Sequence, residues 1–271
     1  RRQCAVLGFL FAAWCIKLLF IRKNWKWGLV CVAAAFLLCF ASVGGLLRQE
    51  SDFDDTGKFH AMTRGVLFQS DNPAKTLQEF GIDPSYELLA DASGYDALPF
   101  VTAEDPAVYE DFLAQYTQAD IALYYVKHPG KLLAMTDLAI KACFGIRRES
   151  CGNYEQSVGM APQARSLFWG LWSRFKNFSA PKTVGFLAVL GAAALLLYRK
   201  GYSLRPEEDR RNTVFLDVMA VLFLICLVQA VVTIIGCGDA QMIQHCFLIS
   251  ASMDIMIYFI LAELVHKINI F

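Results

Sequence analysis

The chain has 271 residues, of which 56% are hydrophobic and 18% are charged, and its 25 basic and 25 acidic side chains give no net charge. Soluble domains average about 45 to 50% apolar and about 25% charged residues, so the composition excludes an ordinary soluble domain. Because the net charge is zero, it gives no reason to expect a nucleic-acid partner. The composition is typical of an integral membrane protein, whose first partner is the lipid bilayer.

Five apolar runs reach or approach the roughly 20 residues that a helix needs to cross a bilayer. The runs are residues 4–20, 28–47, 183–198, 213–236 and 243–265. The third is the shortest, and its Gly185 and Gly191 suit close packing against another helix. The sequence therefore predicts an all-α integral membrane protein with about five transmembrane helices, two in residues 1–48 and three in residues 183–271.

Basic residues beside the apolar runs predict the orientation in the membrane. The connection after the first run carries Arg22, Lys23 and Lys26 without an acid, and the connection after the third is also rich in Arg and Lys. Cytoplasmic loops are enriched in these residues. We therefore expect residues 49–182 to be extracytoplasmic and the C-terminus to be cytoplasmic. Because the chain begins at Arg1 rather than Met, we also expect further spans upstream.

The extracytoplasmic segment is predicted to be helical, because proline repeatedly follows a helix-capping residue. Proline is favoured in the first turn of a helix, where its missing N–H costs nothing. The predicted helix starts are Asn72 with Pro73, Asp83 with Pro84, Asp105 with Pro106, the capping box of Thr117 and Asp120, and Pro129. Glycines predict the ends of three of these helices, at Gly81, near Gly94 and at Gly145.

A last outer helix is predicted over residues 162–177, just before the third apolar run. Its apolar residues at helical spacing are Leu167, Phe168, Leu171, Trp172 and Phe175. Arg165, Arg174 and Lys176 occupy other positions. Aromatic residues on one face and cations on the other are typical of an amphipathic helix that lies at the headgroup boundary. The alternative is that the aromatic residues pack on neighbouring outer helices.

Cysteines outside the apolar runs offer two disulfide pairings. In an oxidising compartment Cys143 can pair with Cys151, and Cys237 can pair with Cys246 unless Cys246 already lies within the last helix. None of the cysteine spacings is a zinc signature, and the histidines form no cluster with them. The sequence therefore predicts no zinc site and no evident cofactor.

Asp254 lies near the middle of the last apolar run, where an unpaired charge costs several kcal/mol. Gln229 on the preceding run reaches a similar depth if the two helices are antiparallel. We expect a hydrogen bond between Asp254 and Gln229, and the alternative is a functional intramembrane carboxylate. Asp217, near a cytoplasmic end, is expected to reach water.

Acidic residues follow the second apolar run directly, at Glu50, Asp52, Asp54 and Asp55. Carboxylates at the outer end of a span can act as a general base or bind a divalent cation through oxygen. Alternatively, they are N-terminal helix residues whose charge is stabilised by the helix macrodipole. Asp52, Asp54 and Asp55 are the candidate catalytic residues.

Four sequence runs carry a resemblance. They are FHAMTRGVLFQSDNPAKTLQEFGID, YYVKHPGKLL, CGNYEQSVGMAPQARS and GCGDAQMIQHCFLISASMD. In these runs the chain resembles uncharacterised polytopic membrane proteins of bacteria, whose hydropathy is similar to that of multi-spanning glycosyltransferases acting on lipid-linked sugars. The resemblance implies a bacterial cell membrane location.

The likeness to glycosyltransferases implies a role in envelope glycan or glycolipid assembly with a lipid-linked sugar as donor. In that class, the catalytic carboxylate lies in an early external loop beside a span, and Asp52, Asp54 and Asp55 occupy a comparable place. The alternative is a non-enzymatic multi-pass membrane protein whose outer helices bind a lipid or a protein partner.

Overall fold

The chain is all-helical over the residues that its computed structural model describes. These are residues 2–21, 24–47, 51–94, 106–145, 154–161, 163–166, 168, 170–203, 210–240 and 242–268. Within these ranges the regular structure consists of helices, without a strand. The predicted all-α fold class is confirmed for this part of the chain.

The α-helices follow one another through the whole chain. In chain order they are α1 (Arg2–Ile21), α2 (Trp25–Leu47), α3 (Ser51–His60), α4 (Pro73–Glu79), α5 (Pro106–Asp111), α6 (Gln118–Lys127), α7 (Pro129–Cys143), α8 (Leu171–Ser179), α9 (Val184–Ser203), α10 (Arg210–Cys237), α11 (Met242–His245) and α12 (Phe247–Ile268). A π-helical stretch, Ala61–Leu67, directly continues α3. Short 3₁₀ turns cover Pro84–Leu89, Leu113–Gln115 and Gln156–Val158.

Two compact units divide the chain. The first, here called the apolar unit, comprises residues 1–54, 188–232 and 251–271. The second, the polar unit, comprises residues 55–187 and 233–250. Each unit therefore joins segments that are far apart in the sequence.

Two helices are long and apolar enough to cross a membrane, over Trp25–Gly45 in α2 and Leu216–Cys237 in α10. Shorter apolar helices cover Ala5–Phe20, Val184–Ala193 and Phe247–Ala262. All five predicted runs thus contain an apolar helix. That all five cross the membrane stays a prediction.

Small residues allow close helix packing in the apolar unit. A Cβ atom built on Gly8 of α1 would lie 1.9 Å from the Ser42 hydroxyl oxygen of α2. A Cβ atom on Gly191 of α9 would lie 2.2 Å from the Phe223 ring of α10. Distances this short leave no room for a side chain, so the expected packing role of Gly191 is confirmed. Gly185 makes no comparable approach, since its nearest neighbour is Thr183 at 3.5 Å.

An ion pair inside the apolar unit corrects the expectation for Asp217. Its carboxylate is buried and accepts a hydrogen bond from the Lys17 ammonium of α1. The prediction that Asp217 reaches water was wrong, because it took the side chain to lie alone at a helix end. A paired carboxylate avoids much of the cost of burying a charge among apolar helices.

Aromatic residues form much of the core of the polar unit. Phe59 of α3 meets the Phe112 ring edge-on at a centroid distance of 5.9 Å, and Phe112 meets Tyr116 at 5.7 Å. All three are buried, as is Leu77 of α4. Edge-to-face aromatic pairs add about 0.5 to 1.5 kcal/mol each beyond the burial of their surface. This core fixes α3 against the segment before α6.

Most of the helix starts predicted in the polar unit are confirmed. The Asn72 side chain accepts a hydrogen bond from the Lys75 N–H (3.0 Å) and starts α4. Thr117 and Asp120 form the predicted capping box at the start of α6. Pro129 starts α7, as expected. The helix start predicted at Asp105 lies partly outside the described residues, although α5 does begin at the following proline.

Three predicted helices have different bounds. The Asp83 side chain caps the Ser85 N–H, but Pro84–Leu89 is a 3₁₀ helix that ends well before Gly94. The last outer helix begins at Leu171 rather than at residue 162. Gln163 has a φ of +67° that a right-handed helix does not permit, and residues 164–166 are also non-helical. The last apolar run is split at Cys246 between α11 and α12.

Candidate functional site

The candidate carboxylates lie at the beginning of α3. This helix starts at Ser51, so Asp52, Asp54 and Asp55 all fall within its first turn and a half. The helix macrodipole stabilises negative charge there, which agrees with the structural alternative from the sequence. Asp55 is half-buried, whereas the side chains of Asp52 and Asp54 lie outside the described set. The catalytic role of the three residues stays a prediction.

Lys58 lies one turn after Asp55 on the same helix and is half-buried. Its ammonium donates a hydrogen bond to the Leu113 carbonyl and lies 4.8 Å from the centroid of the Tyr116 ring. Burial lowers the pKa of Lys58, and the charges of Asp55 and Asp120 oppose that shift. The start of the polar unit therefore combines a carboxylate with a partly desolvated cation.

Tyr116 holds this part of α3 from the other side. Its hydroxyl donates a hydrogen bond to the Lys58 carbonyl at 3.1 Å. Burial raises the pKa of Tyr116 well above its usual value, and the charge of Asp55 adds to that effect. The phenol consequently stays protonated and serves as a fixed donor to the helix backbone.

The π-helical stretch after α3 binds the chain segment 91–94. The Thr63 hydroxyl donates to the Ala92 carbonyl at 2.8 Å, and the Asp91 N–H donates to the Thr63 carbonyl at 3.0 Å. The Gly94 N–H donates to Nε2 of His60 at 2.9 Å. Because Nε2 accepts this bond, a neutral His60 carries its proton on Nδ1. π-helical turns are frequent at functional sites.

Arg64, also on the π-helical stretch, joins two distant acids. Its Nε and Nη2 donate to the two carboxylate oxygens of Asp239, at 2.6 and 3.2 Å. Its Nη1 donates to the Asp91 carbonyl at 3.0 Å and lies 3.2 Å from the Asp91 carboxylate. A bidentate arginine–carboxylate pair has a fixed geometry. It therefore ties the turn after α10 to the π-helical stretch.

Backbone approaches at two glycines reinforce that tie. Gly238 has a φ of +58°, and a Cβ atom on it would lie 2.7 Å from the Gly65 nitrogen and 2.8 Å from the His60 carbonyl oxygen. Gly57 of α3 lies close to the end of α10, since its Cβ atom would lie 3.0 Å from the Gly236 carbonyl oxygen. Only glycine permits backbones to approach so closely.

Tyr125 of α6 closes the same cluster. A Cβ atom on Gly65 would lie 3.0 Å from its hydroxyl oxygen, and the residue is almost fully buried. Within the described part of the chain, this hydroxyl has no hydrogen-bond partner. Burial raises the pKa of Tyr125, with smaller contributions from Tyr124 and Asp239. The phenol is therefore a neutral buried donor at the glycine contact.

Asp254 and Gln229 both lie in the apolar unit, on α12 and α10. Gln229 is buried and Asp254 is half-buried. The predicted hydrogen bond between them stays a prediction. Sequence reasoning missed the Lys17–Asp217 pair, although the two opposite charges at the same predicted membrane side were a usable signal.

The cysteine pairings have different outcomes. Cys143 is buried at the end of α7, and its thiol donates a hydrogen bond to the Ile140 carbonyl at 3.0 Å. Cys151 lies outside the described residues, so the first pairing stays a prediction. In the second pair, Cys237 and Cys246 carry thiols rather than a disulfide.

Metal binding has no preformed site in the described ranges. There, no group of three or more His, Cys, Asp or Glu side chains is arranged to hold a metal ion. The side chains of Asp52 and Asp54 lie outside those ranges. Binding of a divalent cation by the α3 carboxylates stays a prediction.

A family model described as the YfdI N-terminal transmembrane domain matches residues 1–271. The chain belongs to this family. No curated protein and no solved structure matches the chain. Family membership and the apolar helices together make this a helical membrane protein in contact with the lipid bilayer. The likeness to glycosyltransferases is not part of what these comparisons show.

Three of the runs that carry the sequence resemblance meet in the polar unit. His60, Arg64 and Gly65 come from the first run, Tyr125 from the second, and Gly238 with Asp239 from the last. Sequence analysis singled out these runs but gave their residues no chemistry. The available signals were Arg64 in the first run and Asp239, which follows Gly236 and Gly238, in the last run.

Proposed function

We propose that the chain is the membrane domain of a bacterial envelope glycosyltransferase that uses a polyprenyl-phosphate sugar. One observation carries this proposal: carboxylates open α3 directly after a clear span candidate. α2 ends at Leu47 and α3 begins at Ser51, so at about 3.5 Å per residue the first turn of α3 lies within roughly 14 Å of the end of the span. A lipid-linked donor presents its reacting sugar at that level.

The reaction needs a base, an attacking oxygen and a leaving phosphate. A carboxylate of α3, with Asp55 the described candidate, takes the proton from an acceptor hydroxyl. The acceptor oxygen then forms a bond to the anomeric carbon of the sugar, while the bond from that carbon to the phosphate oxygen breaks. The polyprenyl phosphate leaves with the electron pair. General-base catalysis contributes about 10²- to 10⁴-fold to such a step.

Charge compensation for the leaving phosphate is the second requirement. Lys58, one turn from Asp55, offers a cation with lowered pKa. In the proposal a divalent cation held by the Asp52 and Asp54 carboxylates adds positive charge. Because Lys58 is half-buried, its charge acts more strongly than it would in water.

The proposal includes the topology. Residues 1–48 form two spans, residues 49–182 form the extracytoplasmic segment, and residues 183–271 form three spans that end in the cytoplasm. Support comes from the basic connections and from the apolar helices in all five runs. A cysteine introduced at Ala92 should react with an impermeant maleimide in intact cells. Labelling only after lysis would reverse the orientation.

The experiment on activity uses the full-length protein in liposomes with a polyprenyl-phosphate sugar and a lipid or glycan acceptor. Asp54→Asn and Asp55→Asn are compared with Asp111→Asn, which alters an exposed acid at the end of α5. We expect at least one α3 variant to lose about 10²- to 10⁴-fold in kcat, with the control unchanged. Full activity in both α3 variants would remove Asp54 and Asp55 from the mechanism.

The alternative function, a non-enzymatic membrane protein that binds a partner through its outer helices, is favoured by one observation. Large apolar side chains on α8 are exposed, among them Phe178 at 92% and Leu171 at 66%. If no sugar is transferred with any lipid-linked donor while the protein stays folded, this alternative replaces the enzyme.

A further inference from the structure

We propose that α8 lies in the headgroup layer of the outer leaflet, with its aromatic face in the acyl boundary and Arg174 on anionic phospholipid phosphates. This inference does not depend on the catalytic proposal. It concerns the surface called here the aromatic face. That surface consists of Phe168, Leu171, Trp172, Phe175 and Phe178.

The aromatic face is a continuous apolar surface. Within α8, Leu171 and Phe175, Trp172 and Phe175, and Phe175 and Phe178 are three or four residues apart, the spacing that places side chains on one side of a helix, and Phe168 lies just before the helix. All five are exposed, and the rings of Trp172 and Phe175 stack at a centroid distance of 5.8 Å. With about 150 to 250 Å² available for each large side chain, the exposed area is roughly 600 Å². Apolar patches of that size mark protein or membrane contacts.

α8 is fixed within the polar unit at Lys176, one turn after Trp172. Lys176 is buried, and its ammonium donates a hydrogen bond to the Ser250 hydroxyl at 2.9 Å. Since the helix is held in this way, the aromatic face has a defined outward direction. The exposure of the face favours the bilayer over the alternative in which the aromatic residues pack on neighbouring outer helices.

Continuity with α9 places α8 at membrane level. α8 ends at Ser179 and α9 begins at Val184, so the four residues between them span at most roughly 18 Å. The Val184 N–H donates to the Asp137 carboxylate at 3.1 Å, which positions the start of α9. The apolar stretch Val184–Ala193 belongs to a transmembrane-domain family. A helix joined so closely to an entering span is within reach of the headgroups.

Charge selects the occupant of this surface. The chain has no acid between Glu155 and Glu207, although residues 49–182 are rich in acids elsewhere. Arg174 is exposed beside the aromatic face, three residues after Leu171 and four before Phe178. A basic helix with an aromatic face binds anionic bilayers through both features. A bilayer that contains an anionic phospholipid is therefore the partner that fits.

The test reads the surroundings of Trp172 in the full chain, reconstituted in nanodiscs of phosphatidylcholine with phosphatidylglycerol. The Trp172 signal is the fluorescence difference between the parent chain and Trp172→Phe. Brominated acyl chains report contact with lipid, and iodide reports contact with water. Leu88→Trp in the Trp172→Phe background calibrates an exposed side chain away from α8, since Leu88 is 81% exposed.

We expect bromine near the top of the acyl chains to quench Trp172 strongly, and iodide to quench it far less than the calibrating Trp at position 88. Quenching by iodide to the same extent as the calibrator would overturn the proposal. Protection from both quenchers would also overturn it, because a second copy or another protein would then cover the face.

The role of charge has its own variant. Removing one basic side chain near an anionic surface costs about 1 kcal/mol, or about fivefold in the equilibrium. The equilibrium between α8 seated on the bilayer and α8 exposed to water should favour the seated state more in discs with phosphatidylglycerol than in discs of phosphatidylcholine alone. Arg174→Gln should reduce that difference by about fivefold. An unchanged preference, or equal seating of the parent chain in both lipids, would refute the anionic part of the proposal.

Discussion

The substitution Gly238→Ala tests the contact between the turn after α10 and the π-helical stretch. Two costs add at this position. A non-glycine residue in the left-handed region costs roughly 1 to 2 kcal/mol. The new methyl group would also lie 2.7 to 2.9 Å from three backbone atoms, those of Gly65, His60 and Arg64. Overpacking against neighbours that cannot rotate away costs typically about 1 to 3 kcal/mol.

The two costs predict that Gly238→Ala lowers the free energy of unfolding by about 2 to 5 kcal/mol. Gly81→Ala is the matched control, because Gly81 has a φ of +75° with nothing within 4 Å of its added Cβ atom. It should show only the conformational cost.

Thermal unfolding of the purified chain in detergent can be followed by the reaction of a maleimide dye with the buried Cys246 thiol. For a unit of this size, each kcal/mol shifts the midpoint by about 2 to 4 °C. Equal midpoints for the two alanine variants would refute the backbone contact.

Three further predictions concern the polar unit. Tyr125→Phe should keep or raise the unfolding midpoint, since the buried hydroxyl lacks a described hydrogen-bond partner; a fall equivalent to more than about 1 kcal/mol would contradict this. Asp239→Asn should cost about 1 to 3 kcal/mol, because it weakens a partly buried pair with Arg64, and an unchanged midpoint would speak against the pair. Lys131→Met should raise the pKa of Asp71 towards 3.8 in a carbon NMR titration, because the Lys131 hydrogen bond and charge hold that pKa down. The stability from the Lys131–Asp71 pair is present above pH 3.8 and is lost as the pH falls through the lower folded pKa of Asp71. An Asp71 pKa that Lys131→Met leaves unchanged would exclude the pair.

Features that depend on neighbouring residues could be predicted from the sequence. The Asn72 cap and the capping box of Thr117 and Asp120 each involve residues only three positions apart, so the local sequence predicts their geometry. The length of continuous apolar sequence likewise identified the apolar runs. The bounds failed where one backbone angle decided the outcome. The φ of +67° at Gln163 excludes a helix at that position, and glutamine gives no indication of it in the sequence.

Features that depend on distant residues could not be predicted in the same way. Arg64 and Asp239 are separated by 175 positions, and nothing in either neighbourhood specifies the other. The same holds for Lys17 and Asp217, which are 200 positions apart. Opposite charges in a mainly apolar chain suggest that a pair exists, but only the folded backbone selects which charges meet. The catalytic candidates were easier to name because they adjoin a span.

The long-range contacts bear on the proposed chemistry at the first turn of α3. A reactive carboxylate needs a backbone that holds it within a fraction of an ångström of its working position. The helix that carries Asp55 is held along its later turns by the Tyr116 hydroxyl on the Lys58 carbonyl, and its π-helical continuation is held by Arg64 and by the close approach of Gly238. Because these contacts join segments that are remote in sequence, they form only when the polar unit is folded. The start of α3 thus belongs to a braced helix, whereas a loop of the same composition would leave its carboxylates to move independently.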